Sequence, residues 1–193
     1  MIRTFIAVQL SLAPEYDAMR AELRRRTAYD DIRWSDDAHI HLTLRYIGKT
    51  PTNKIDTIKK ALDEIAGHTP ELDLEIDKLG IFGTAHAPKI LRLSFIKTPQ
   101  LVQLYTEICQ MLEGFEFVLE KQNFVPHITL GRIKKVDNCR RFFALLNELQ
   151  PEYKQRFHIS EIALVRSVLE KGEVFYTTMH ISPLGTQLSN NRQ

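Results

Sequence analysis

The chain has 193 residues, 44% of them apolar, and 26 basic against 24 acidic side chains for a net charge of +2. That is enough material for one buried core, and it excludes a disordered or collagen-like chain and a strongly basic, nonspecific nucleic-acid binder. Apolar runs stay well short of the ~20 residues that span a bilayer, and Cys109 and Cys139 form neither a CxxC nor a metal-ligand spacing, so a reducing, cytoplasmic setting is expected.

Residues 2–9 alternate as a strand, with Ile2, Thr4, Ile6 and Val8 on one face. Ser11 is placed to cap a helix that has Pro14 in its first turn and runs to Arg26. A short extended piece at 32–34 leads to a turn at Asp36 and Asp37, then a strand over 39–47 ended by Gly48. Ile55, Ile58, Ala61, Leu62 and Ile65 make the apolar stripe of a helix over 52–66. Leu72, Leu74 and Ile76 alternate as a strand, 80–88 reads as a glycine-containing loop, and 90–95 as another strand. Leu101, Leu104, Ile108, Met111 and Leu112 stripe a third helix, stopped by Gly114, and 115–119 reads as extended. Pro126 leads into a strand over 127–133. A fourth helix covers 139–149, and strands over 157–169 and 174–181 meet at a turn around Lys171-Gly172. One domain over 1–187 with a polar tail at 188–193 is expected.

Two strands carry nearly the same tetrapeptide, His41-Leu42-Thr43-Leu44 and His127-Ile128-Thr129-Leu130, 86 residues apart. Alternation puts each His and its Thr on one face. Two such strands set face to face would surround a small volume with two imidazoles and two hydroxyls. That suits a phosphate: one imidazole takes a proton, the other gives one, and the hydroxyls hold the non-bridging oxygens. Simple alternation adds Arg45 to the face of His41 and Thr43. Arg132 reaches the face of Thr129 if a bulge interrupts the strand at Gly131. Phe5 and Trp34 read first as core, with Phe5 kept as a candidate substrate contact. His158-Ile159-Ser160 and His180-Ile181-Ser182 are weaker lookalikes, read as outward histidines on amphipathic strands. His39 and His41 could supply two metal ligands, but nothing marks a third, so no metal and no cofactor are expected.

With these motifs the chain resembles the 2H phosphoesterase superfamily, and within it the RNA 2′,3′-cyclic phosphodiesterases also known as 2′-5′ RNA ligases. The resemblance rests on Arg3-Thr4-Phe5-Ile6-Ala7-Val8, Arg33-Trp34, His41 to Gly48, Leu79-Gly80-Ile81-Phe82, Phe124 to Arg132, Leu164-Val165-Arg166-Ser167 and Tyr176. It implies a bilobal α+β fold: two antiparallel sheets facing a central cleft, helices outside, and a pseudo-two-fold internal duplication. It implies metal-independent hydrolysis of a terminal 2′,3′-cyclic phosphate to a 2′-phosphate, with a reverse, ATP-independent 2′-5′ ligation. His41 would protonate the leaving 3′ oxygen and His127 would activate water, while Thr43, Thr129 and Arg132 match phosphate-binding positions. Partners would be RNA ends or nucleotides with a 2′,3′-cyclic phosphate, engaged by a monomer. Rival readings are a noncatalytic module that holds RNA ends, a phosphodiesterase for small cyclic phosphates or 2′-5′ oligonucleotides, and a metallohydrolase.

Overall fold

The computed structural model describes residues 1–36, 39–119, 123–171 and 173–186. Nine strands and four helices alternate along it: β1 (Ile2–Gln9), α1 (Pro14–Arg26), β2 (Asp31–Trp34), β3 (His41–Thr50), α2 (Ile55–His68), β4 (Leu72–Gly83), β5 (Pro88–Phe95), α3 (Pro99–Gly114), β6 (His127–Lys135), α4 (Cys139–Glu148), β7 (Arg156–Ile159), β8 (Glu161–Glu170) and β9 (Glu173–Pro183). The strands form one curled, antiparallel path in the order β7-β4-β5-β6-β3-β1-β8-β9, with β2 added on β6. The fold is α+β. The two sheets expected from the sequence are two halves of this path, joined where β3 meets β6 through one pair, Leu42 with Ile128. Outward from that junction the order is mirrored. β6-β5-β4 runs one way and β3-β1-β8 the other. α1 and β2 lie between β1 and β3, and α3 lies between β5 and β6.

All four helices pack on one face of the sheet. Tyr16 and Leu23 of α1, Ile58 and Leu62 of α2, Leu104 and Ile108 of α3, and Phe142 and Leu145 of α4 join Leu42, Leu44, Ile128 and Leu130 in one core. Truncating any of these to Ala costs about 2–5 kcal/mol. The other face is concave and carries a small apolar cluster, Phe5, Ala7, Ala163 and Val165, with Tyr176 against it.

Local details differ from the pattern-based expectation. Pro14 opens α1, but its cap residue is Ala13, and no side chain caps it. Gln155 takes that place: its side-chain oxygen accepts from the Ala13 N–H, and its amide donates to the Ser11 carbonyl. β4 continues through Gly80 to Gly83, where a loop is expected, because β5 pairs with it throughout. The single strand expected at 157–169 breaks at Ser160 into β7, which pairs with β4, and β8, which pairs with β1. Residues 115–119 join no strand. Asp37, Gly172 and the 188–193 tail lie outside the described residues.

Candidate active site

β3 and β6 both begin at their motif histidine. Leu42 and Ile128, the paired residues, are fully buried, as are Leu44 and Leu130 to within 2%. Period-two alternation then sends His41, Thr43, His127 and Thr129 to the concave face, where all four are half-buried. Antiparallel register around the Leu42–Ile128 pair sets His41 across from Thr129 and Thr43 across from His127. Because the strands pair at one point only, they part beyond it. Between them opens a cavity of about 580 Å³, walled by His41, Thr43, Thr129, Arg132, Arg3, Arg33, Tyr46, Tyr176 and further side chains. His127 is not part of that wall; it borders the site from the β5 side, in register with Ser94.

The two imidazoles are held identically. His41 Nδ1 lies 2.7 Å from the carbonyl of His39, and His127 Nδ1 lies 2.8 Å from the carbonyl of Val125. A carbonyl only accepts, so each Nδ1 carries the proton and each Nε2 is left to meet a substrate. Burial is the main reason both rings titrate below the ordinary histidine range, partly offset by those hydrogen bonds. His127 is pushed down further by the charges of Arg92, His41 and Arg132, whereas His41 is pushed down further only by its neighbour His39.

Arg132 does reach this face. In the β5–β6 ladder Leu91 pairs with Gly131 but Arg92 pairs with Thr129, so Leu130 is the extra residue of a bulge. Leu130 and Gly131 are then both buried, and Arg132 emerges beside Thr129 in the cavity wall. The same device corrects Arg45. In the β1–β3 ladder Ala7 pairs with Thr43 but Ile6 pairs with Arg45, which makes Leu44 the extra residue. Arg45 therefore turns away from the cavity. It is 5% exposed, and it donates to the Tyr105 hydroxyl at 3.1 Å. Tyr46 takes the place in the cavity wall that alternation had given to Arg45. Comparing Leu44-Arg45-Tyr46 with Leu130-Gly131-Arg132 would have suggested this, since one bulge serves both strands.

Phe5 is nearly buried yet forms part of the wall, its ring centroid 5.1 Å from His41 and 5.4 Å from Tyr176. Trp34 also faces the cavity, with Arg24 stacked on its ring at 5.4 Å. The lookalike histidines have structural partners instead. His158 on β7 sits between Glu71 and Asp73, and His180 on β9 shares Asp63 with Ser182. Among the described residues no group of three or more His, Cys, Asp and Glu is arranged to hold a metal ion. Nor is any helix among them long and apolar enough to cross a membrane.

A family model described as the 2′-5′ RNA ligase superfamily matches residues 8–170. A Methanothermobacter thermautotrophicus protein named RNA 2′,3′-cyclic phosphodiesterase is 25% identical over 185 residues, covering 93% of this chain and 97% of that protein. One of the same name from Aquifex aeolicus is 29% identical over 161 residues, covering 79% and 82%. A crystal structure of a Thermus thermophilus protein superimposes with a TM-score of 0.77 at 19% identity, covering 95% of this chain and 98% of that one. E. coli LigT complexed with 3′-AMP gives 0.68 at 21% identity, with 95% and 98% covered. These two likenesses show a shared fold. The family match extends over most of the chain and takes in both histidine strands: this protein belongs to the 2′-5′ RNA ligase superfamily.

Proposed function

We propose that this protein is an RNA 2′,3′-cyclic phosphodiesterase that opens a terminal 2′,3′-cyclic phosphate to a 2′-phosphate without a metal. The observation that carries the reading is the paired histidine geometry. Both Nδ1 protons are tied to backbone carbonyls, so two Nε2 atoms serve one site between Thr43 and Thr129.

Hydrolysis needs in-line attack, with water entering on one side of phosphorus and the 3′ oxygen leaving on the other. His127 Nε2 takes the proton from water as its oxygen bonds to phosphorus. His41, protonated at Nε2, gives its proton to the 3′ oxygen as the P–O3′ bond breaks. The cations around His127 favour its neutral form, which is the form a base needs. His41 lacks those arginines and gains the anionic substrate as a partner, which favours the acid role. Thr43 and Thr129 donate to the non-bridging oxygens, and Arg132 opposes their charge. With a 5′-hydroxyl end in place of water, the P–O5′ bond forms as the P–O3′ bond breaks, and the same groups make a 2′-5′ linkage without ATP. The aromatic side of the cavity, Phe5, Tyr46 and Tyr176, offers faces on which a base can stack. We place the protein in the cytoplasm as a monomer.

The test is incubation of an oligonucleotide ending in a 2′,3′-cyclic phosphate with the protein in EDTA. The expected product carries the phosphoryl group on the 2′ oxygen. A 3′-phosphate, or turnover that depends on added metal, contradicts the mechanism. Retained RNA affinity with no turnover points to the noncatalytic end-binding module.

A further inference from the structure

The concave face beside His127 carries a cation, Arg92, that the mechanism uses only through its charge on the ring. Arg92 on β5 pairs in register with Thr129 of β6 on one side and with Gly80 of β4 on the other. Registered partners share a face, so Arg92 lies one strand from the phosphate-binding threonine, a step of about 5 Å. Its guanidinium sits 4.4 Å from the centroid of the Phe82 ring. Phe82 in turn meets His127 edge-on at 4.8 Å. Nε and Nη1 of Arg92 are buried and have no hydrogen-bond partner among the described residues. No carboxylate among those residues lies within ion-pair distance of it; Asp77 acts on it only from farther away. Burying guanidinium donors without an acceptor costs stability, and the stacking on Phe82 supplies no acceptor.

Opposite Arg92 there is room. A Cβ added at Gly80 would meet no atom within 4 Å, and its backbone is not in the left-handed region that favours glycine. Space is thus open at Gly80 beside Arg92, whose Nη2 is not among its buried donors. A planar guanidinium fork of this kind matches phosphate. In a cyclic-phosphate RNA end both the 2′ and 3′ oxygens belong to the scissile group. The next phosphate is therefore the diester on the 5′ oxygen of the terminal nucleotide.

We propose that Arg92 and the space at Gly80 form a subsite for this 5′ phosphodiester, so that the protein holds oligonucleotide ends more tightly than mononucleotides. The subsite rests on the RNA-end reading above for the identity of its ligand, and its test needs no turnover. Calorimetric titration compares a dinucleotide ending in a 2′-phosphate with the corresponding nucleoside 2′-phosphate. The parent protein is expected to bind the dinucleotide at least about tenfold more tightly. Arg92→Met and Gly80→Val each bring the two affinities to within about twofold. Arg92→Lys keeps part of the difference. Gly80→Val retains every charge, so its effect reports that space even if Arg92→Met folds poorly. Arg92→Met also lowers the slope of log Kd against log salt for the dinucleotide by about 0.7, the value of one single-strand phosphate contact. Equal affinities in the parent, or a ratio unchanged by both Arg92→Met and Gly80→Val, would overturn the subsite. A preserved ratio in a protein that fails to open cyclic phosphates would sink the hydrolase reading and leave the subsite standing.

Discussion

The two motif strands share a backbone and differ in surroundings. β3 and β6 each present His, Thr and then a bulge at the following leucine, Leu44 or Leu130. Around His41 the neighbours are aromatic: Phe5 at 5.1 Å and Tyr176 at 5.2 Å. Around His127 they are cationic as well, with Arg92 and Arg132 both acting on its ring. At the position after the bulge, one strand has Arg45 turned into the protein and the other has Gly131. One position further on, Tyr46 faces the cavity from β3 and Arg132 from β6. A repeated backbone thus places two imidazoles alike, and in the proposed mechanism the side chains around them divide the labour between acid and base.

The largest expected effect comes from removing either ring. His41→Ala and His127→Ala should each lower kcat by about 10²–10⁴-fold while leaving the circular dichroism spectrum intact. A variant with near-parent turnover would break the two-imidazole account. Next come the groups that the proposed mechanism assigns to the phosphate. Arg132→Met, Thr43→Ala and Thr129→Ala should each lower kcat/KM by up to about 10²–10³-fold. Arg45→Met should leave kcat/KM close to that of the parent, because Arg45 faces Tyr105 rather than the cavity. Equal losses at Arg45 and Arg132, measured side by side, would show that the bulge at Leu44 is wrongly placed.

The smallest effect sharpens the comparison through packing. Gly131 carries no side chain because β2 lies alongside β6. An added Cβ would stand 2.9 Å from Ile32 Cγ2 and 3.3 Å from the Arg33 carbonyl oxygen. Gly131→Ala should therefore cost about 1–3 kcal/mol, read from the urea midpoint. An unchanged midpoint would mean that β2 does not constrain β6 there.

Much of this was legible in the sequence, and the remainder has identifiable causes. Alternation and apolar stripes located the strands and helices because one face of each element meets the common core. The motif residues were legible because both strands repeat the same pattern. The orientation of Arg45 was legible only by comparison with Leu130 to Arg132, since nothing within His41 to Tyr46 signals the bulge that the ladder with β1 imposes. Gly131 gave that signal in β6, and Arg132 was placed accordingly. The extension of β4 through Gly80 and the break at Ser160 follow from strand partners distant in sequence. Arg92 carried no local mark, because its meaning lies in the Thr129 and Gly80 that flank it across the sheet.

The most direct test is the pH dependence of kcat/KM in the parent and the two histidine variants. Both rings titrate below the ordinary range, so the parent profile should be a bell centred on the acid side of pH ~6.5. Activity falls at low pH as His127 gains a proton and at higher pH as His41 loses one. The residual activity of His127→Ala should lose the low-pH limb, and that of His41→Ala the high-pH limb. Both limbs persisting in either variant, or a flat parent profile from about pH 5 to 9, would contradict paired acid and base.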